Sequence, residues 1–449
     1  MNQKSAASGA GLRLGSHWRL LSWAVLDKSL PLGFGLAFVL LVLRALPKEQ
    51  FALQGLAAIL VLTASQLLRS LCLVPLIRAV AESGPGRVAS AGAWLYSGGS
   101  ALVAVAMAAG APWWEQLFQK ADLAAVLLPS AVLLCVGSPR DAVISTYEAQ
   151  RRLRTVFWLD AAYYALAVLG LVIWRFAPAM PRSAVSVQWV QAVAAGLATG
   201  FSLLCARQAL FVRPGRAEVR RILEFGRVYL GSGFGATLSQ SADQWVAGRL
   251  MDKPGLAAYL AAKMLFRGFN LVAQAMSQVL MPTVAKLQSE RRVADLVALF
   301  EKSVCFVTLA LVPICALLYF GTGWMLDVLL NGRYREAVPA FRILVLSALT
   351  LPIASVGSPF LTGLGRLRSL LWITWTGLFL GVGLAVWWIP AHGPEGAATA
   401  TAVAAVYGML ARAAVLRRDV PFRLRGIVSR VGDAWGVAAR ALAARRARA

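Results

Sequence analysis

The chain has 449 residues, of which 59% are hydrophobic and only 14% charged. Soluble domains carry about a quarter charged residues, so water is not the main solvent of this surface, and a mean hydropathy of +0.67 agrees. A net charge of +25 would point to nucleic acid on a soluble chain, but on one this apolar it fits the basic cytoplasmic loops of a membrane protein.

Residues 1–25 read as a cytoplasmic tail. They are polar, glycine-rich and basic up to Arg19, and no cleavage site separates them from the first apolar run. Apolar runs of about 20 residues, enough to cross a bilayer, then recur. The N-terminal set is expected at 26–46, 51–80, 88–110, 121–147, 155–176 and 184–212. After a cytoplasmic linker at 213–224, the second set is expected at 225–250, 255–285, 296–320, 338–363, 367–389 and 395–416. The expected fold is therefore all-α and integral to the membrane, with about twelve transmembrane helices. These form an N-lobe (26–212) and a C-lobe (225–416), followed by a basic cytoplasmic tail at 417–449 that either lies on anionic lipid or stays solvated.

The loops holding Arg151, Arg152 and Arg154, and Arg213, Arg216, Arg220 and Arg221, are richer in base than the alternate loops holding Lys48, Lys120 and Lys253. The richer set belongs in the cytoplasm, and an even number of spans puts both termini there.

Three echoes suggest that one unit is used twice. "RALPKEQFALQG" at Arg44 resembles "RLMDKPGLAAYL" at Arg249, "LVPLIRAV" resembles "LMPTVAKL" at Pro75 and Pro282, and Trp113 matches Trp324. An even number of helices per unit makes the repeats parallel, and such two-lobed folds place substrate near mid-membrane between the lobes.

Charges within spans are costly, about 2.5–3.5 kcal/mol each on insertion scales, so they mark candidate sites. In chain order, Asp27 and Lys28 open the first span as a salt bridge or a portal pair, and Arg69 lies deep in the second. Arg140 and Asp141 follow a Ser-Pro break, as a local pair or a gate, while Asp160 and Asp243 stand as lone acids able to take up an ion or proton or to pair with a base. Gly231, Gly233 and Gly235 allow the seventh span either close packing or local unwinding.

The eighth span carries the strongest signal. At about 100° per residue, Lys263, Arg267, Asn270, Gln274 and Gln278 share one sector of a continuous helix. Two readings stand: bases that are ion-paired at a contact between lobes, or a wet, anion-attracting lumen. The absence of a carboxylate on this helix favours the lumen.

No metal or cofactor is expected. His17 and His392 are too few for a site, and the five cysteines sit in apolar runs without metal-ligand spacing. No P-loop and no paired-carboxylate constellation occurs, so no catalytic residue is assigned.

The segments "LVLRALPKEQFALQGL", "FGRVYLGSGFGATLSQSADQWVAGRLMDKPGLAAYLAAKMLFR", "QVLMPTVAKL" and "LLNGRYREAVPAFRIL" give the chain a pattern that resembles the polysaccharide (Wzx-type) flippases. These belong to the MOP superfamily, with the MATE exporters and the lipid II flippases. The resemblance implies a two-lobed transporter, not an enzyme, in the bacterial inner membrane. It would flip undecaprenyl-diphosphate-linked oligosaccharide by alternating access, driven by ions or protons, for exopolysaccharide, capsule or O-antigen synthesis. Basic cavity residues of the family correspond here to Lys28, Arg69, Lys263 and Arg267. Polymerase or export machinery would be the protein partners. A MATE-like drug or cation exporter, which would need an acidic cavity, and a non-transporting scaffold are the alternatives.

Overall fold

The structure is a computed structural model that describes residues 14–84, 86–206, 212 and 214–430, and among them it contains no strand. The first helices are α1 (Leu14–Phe38), α2 (Lys48–Leu68), α3 (Val74–Ser83), α4 (Gly86–Ala109), α5 (Ala111–Phe118), α6 (Leu123–Ala149), α7 (Leu153–Phe176) and α8 (Ala184–Cys205). They are followed by α9 (Arg216–Leu250), α10 (Lys253–Phe266), α11 (Asn270–Ser289), α12 (Val293–Leu330), α13 (Ala337–Ser347), α14 (Leu351–Gly363), α15 (Leu367–Asp419) and α16 (Leu424–Ser429). By length and composition, 8 helical stretches among the described residues are able to cross a membrane.

Large apolar side chains cover the outside. Phe320 is 80% exposed, and Leu317, Trp324, Trp372, Trp387 and Phe176 are similarly bare. That surface is stable only against lipid, so the chain is a multi-pass membrane protein.

Each expected span is helical, and the differences lie at the borders. The first helix starts at Leu14, inside the expected tail, and α9 starts at Arg216, inside the expected linker. With 38 residues, α12 is roughly 57 Å long, so its first turns project beyond the hydrocarbon with Asp295, Glu301 and Lys302. The two final expected spans fall in one helical stretch, but the chain reverses within it. Gly393 adopts φ +52°, flanked by Pro390 and Pro394, and a Cβ on Gly396 would stand 2.5 Å from the Trp388 carbonyl oxygen. Only glycine fits at either position. The expected tail begins as helix to Asp419 and continues in α16, while residues 431–449 lie outside the described residues.

Four spans lose regular α geometry, through π-helical turns at Val39–Leu43 and Arg69–Leu73 and 3₁₀ turns at Arg267–Phe269 and Ala348–Thr350, and two of these turns start at an arginine. The turn Arg69–Leu73 joins α2 to α3, and the turn Arg267–Phe269 joins α10 to α11. At the first, Pro75 has no N–H to offer the preceding turn, so the ladder widens ahead of it. At the second, Gly268 permits tightening.

The chain forms two compact units whose borders differ from the lobes expected from sequence. Unit 1 comprises the described residues within 1–45, 64–111 and 124–230, and unit 2 those within 46–63, 112–123 and 231–449. In unit 1, α1 packs on α7 through Trp23–Phe157 and Phe34–Tyr164 ring contacts at 5.2 and 5.5 Å. Leu73, Tyr96, Val143 and Leu159 form its core. Glu82, at the end of α3, accepts from Arg78 and from Arg221 of α9, both at 2.9 Å. The Arg78 hydrogen bond and charge, followed by the Arg221 charge, hold its carboxyl below the ordinary range.

In unit 2 the run Leu256–Ala262 is buried throughout. Gly55 and Gly248 admit Leu260 and Leu56 to close contact. Gly235 lies against the Trp375 indole and α9 remains helical there, so close packing rather than unwinding describes this glycine. The chain then hooks back after α15. Phe422 packs on Phe300 at 4.6 Å, Phe300 on Phe360 at 5.2 Å, and the buried Glu301 carboxylate accepts the Arg423 backbone N–H at 3.2 Å.

Gly226 tests unit 1. A Cβ there would stand 2.1 Å from the Leu71 backbone carbonyl oxygen, which cannot rotate away, whereas one on Gly231 meets nothing within 4 Å. Gly226→Ala is expected to destabilise by about 1–3 kcal/mol and lower the thermal midpoint of detergent-purified protein. Gly231→Ala leaves that midpoint unchanged or raised.

Candidate functional site

In unit 1 the charged side chains gather where α6, α7 and α4 meet. The Arg140 guanidinium pairs with Asp160 of α7, reaches Asp141 at 3.5 Å, and lies over the Tyr163 ring at 4.4 Å. Asp141 also accepts from the Tyr96 hydroxyl at 3.2 Å. Asp160 is therefore not the lone acid that the sequence suggested, and Arg140 reaches across helices as well as to its neighbour. The helix makes this possible: the proline at 139 occurs inside α6, where packing keeps the helix intact, and Asp160 sits two turns into α7. Arg69 heads its π turn 3.6 Å from Glu148, with both side chains partly exposed. Asp27 is buried in α1.

In unit 2 the site is built by α9, α10 and α15. Lys263 of α10 donates to Asp243 of α9 at 2.5 Å, with their side chains 13% and 12% exposed. The same carboxylate oxygen, Oδ2, accepts from the Tyr259 hydroxyl and lies 3.2 Å from the Thr401 hydroxyl of α15. Its other oxygen, Oδ1, is buried without a hydrogen-bond partner.

Of the two readings of Lys263 that the sequence left open, the structure has the ion-paired one, with the carboxylate coming from the preceding helix rather than from the lysine's own. The sector expected from Lys263 to Gln278 does not follow one continuous helix. A 3₁₀ residue turns about 20° more than an α residue, so the three residues 267–269 shift the phase of α11 by roughly 60°.

Arg267 itself is exposed and, among the described residues, has no ion-pair partner within 4 Å. The side chains of Lys28, Asn270, Gln274 and Gln278 lie outside the described residues.

Four groups escaped the sequence reading. Glu148 stands beside the basic loop at Arg151, and Tyr259 and Thr401 are polar tips on apolar helices. Arg412 of α15 donates to Ser358 of α14 at 3.0 Å and has no carboxylate within 4 Å among the described residues. Its position near a helix end hid it among interfacial bases. Among the described residues, no group of three or more His, Cys, Asp or Glu side chains is placed to hold a metal.

The Arg140–Asp160 pair makes a direct test. Breaking a buried pair by removing one partner costs about 3–5 kcal/mol, less where a second group such as Asp141 at 3.5 Å from Arg140 compensates, whereas replacing both with apolar residues is often neutral. Arg140→Met and Asp160→Leu should each lower the thermal midpoint sharply, and the double variant should recover most of the loss. Additive losses in that cycle would show that the two charges do not interact.

Three solved structures share this architecture. An inward-facing multidrug resistance MATE family transporter of the MOP superfamily aligns with a TM-score of 0.69 at 15% identity, covering 88% of this chain and 98% of its own. The lipid II flippase MurJ, in an inward closed conformation, gives 0.69 at 14% identity, covering 91% and 89%. A MOP superfamily transporter from Pyrococcus furiosus, described by a reversed polarity of its binding pocket, gives 0.57 at 15% identity, covering 89% and 95%. At these identities the likeness is one of fold. No curated protein sequence matches the chain. The sequence profile of one family matches it from residue 33 to residue 339, more than half its length, and the chain belongs to that family, described as polysaccharide biosynthesis protein.

Proposed function

We propose that the protein is a flippase that carries undecaprenyl-diphosphate-linked oligosaccharide from the cytoplasmic to the periplasmic leaflet of the inner membrane. It works by alternating access, coupled to an ion or proton gradient, and keeps both termini in the cytoplasm. One observation carries this reading: of four irregular turns within spans, two start at an arginine, Arg69 in one unit and Arg267 in the other. Irregular turns within helices recur at functional sites, and Arg267 has no carboxylate within ion-pair distance among the described residues. A diphosphate supplies the missing anion, since guanidinium binds phosphate through parallel charge-assisted hydrogen bonds.

On this reading Arg267 and Arg69 hold the diphosphate, and Lys263 joins them when it leaves Asp243. Asn270, Gln274 and Gln278 line the path, Asp27, Lys28, Arg140 and Asp141 guard its entry, and Asp160 and Asp243 are the acids available for coupling. Membership of a polysaccharide biosynthesis family supports a glycan cargo, and a lipid II flippase among the proteins of like fold supports a lipid-linked one.

The test is genetic and chemical. Cells lacking the gene should accumulate lipid-linked oligosaccharide on the cytoplasmic leaflet, and wild type should clear it. Arg267→Ala should clear it at least about tenfold more slowly, the loss expected from one charge-assisted contact of 1.5–3 kcal/mol. Arg267→Lys should fall between the two. Full rescue by Arg267→Ala would remove Arg267 from the site, and no accumulation in the deletion strain would remove the flippase reading.

A further inference from the structure

The Asp243 cluster does more than bury a charge. Its carboxylate is used on one side only: Lys263, Tyr259 and Thr401 all crowd Oδ2, while Oδ1 is buried and bare. A purely structural ion pair in a dry setting would be expected to satisfy both oxygens, because each bare one costs free energy. The cation it holds is also the most movable kind, an ammonium on a flexible four-carbon stem. That lysine stands one helical turn before Arg267 on the same span.

We propose that Asp243 is a built-in stand-in for the anionic headgroup, and that headgroup binding exchanges it for a proton. The proposal rests on the reading of Arg267 as part of an anion site. In the empty protein Asp243 neutralises Lys263. When a diphosphate engages Arg267, the Lys263 ammonium leaves Asp243 for the phosphate oxygens. The deserted carboxylate then stands in an apolar interior without a cation and near a new anion, where it takes one proton from water and becomes a neutral acid. No covalent bond within the cargo changes. The net event is one headgroup bound and one proton taken up.

The surrounding hydroxyls are arranged to accept that change. Thr401 Oγ1 lies 3.2 Å from Asp243 Oδ2 and also 3.0 Å from the Ala397 carbonyl oxygen. A threonine hydroxyl has one proton to give. With Asp243 ionised, it gives that proton to the carboxylate. With Asp243 protonated, it turns to the Ala397 carbonyl and its lone pair receives the acid proton. Among the described residues, the titratable or charged groups facing Asp243 are Tyr259 and Lys263 on α10 and Arg267 just beyond it, and α15 contributes only the Thr401 hydroxyl. No second carboxylate is present there to take the proton instead.

The experiment uses full-length protein in lightly buffered detergent near neutral pH, with farnesyl diphosphate as probe and a pH-indicator dye as readout. Wild type should take up about one proton per bound diphosphate, as linkage requires. Asp243→Asn should bind the probe about tenfold more tightly, having lost a competing anion, and take up none. The double variant Asp243→Asn, Lys263→Gln leaves no lone charge and so keeps the cluster neutral if the single variant fails to fold; it should bind more weakly than wild type and take up none. Wild type binding without proton uptake, or equal uptake by wild type and either variant, overturns the exchange and leaves the anion site intact. Failure of wild type to bind the diphosphate at all overturns both.

Discussion

Asp243 holds Lys263 at 2.5 Å in a nearly dry setting, and in the other unit Asp160 does the same for Arg140. Much else follows from these two contacts. A solitary charge in hydrocarbon is so costly that each base must find its acid before its helix can settle. Each pair therefore fixes the rotation of two neighbouring helices: α9 against α10, and α6 against α7. Apolar packing alone leaves such rotations poorly determined, because lipid tails are as good a solvent for leucine as another helix is. The charges set the register, and glycines such as Gly248 then let the helices close up.

Fold and chemistry part company in this molecule. The same architecture serves a multidrug transporter and a lipid II flippase, so the fold says little about cargo. The charges of this chain are unevenly partnered. Lys263 and Arg140 are both neutralised by acids within their own units, while Arg267 stands exposed. Arg69 is intermediate, with Glu148 at 3.6 Å. A basic residue in a span is informative only after its partners are known.

That distinction also explains what could be read from the sequence. The spans were legible because hydropathy integrates over twenty residues and tolerates single errors, and the turn around Gly393 was legible because prolines bracket it. Arg69 and Arg267 stood out for their cost alone. The pairing of Lys263 with Asp243 was legible only as one of two open readings, since it depends on how two helices are rotated and on which turn of each meets the other. The polar sector drawn from Lys263 to Gln278 assumed uniform α geometry, and three residues of tighter winding undid it. Tyr259 and Thr401 gave no signal, because a hydroxyl at the tip of an apolar side chain leaves the local pattern unchanged. The compact units were hidden for another reason. Residues 46–63 continue directly into 64–111 as helix, yet belong with the second unit, and no break in composition marks the change.

The hook after α15 bears on the order in which the protein can be completed. Glu301 and Phe300 lie early in α12 and are buried by residues 420–430, among the last described in the chain. During synthesis more than a hundred residues separate the appearance of that carboxylate from the appearance of its cover. Until Phe422 and Arg423 leave the ribosome, the first turns of α12 present an acid and an aromatic ring that still lack these two contacts. That end of the second unit is therefore completed only by residues made more than a hundred positions later.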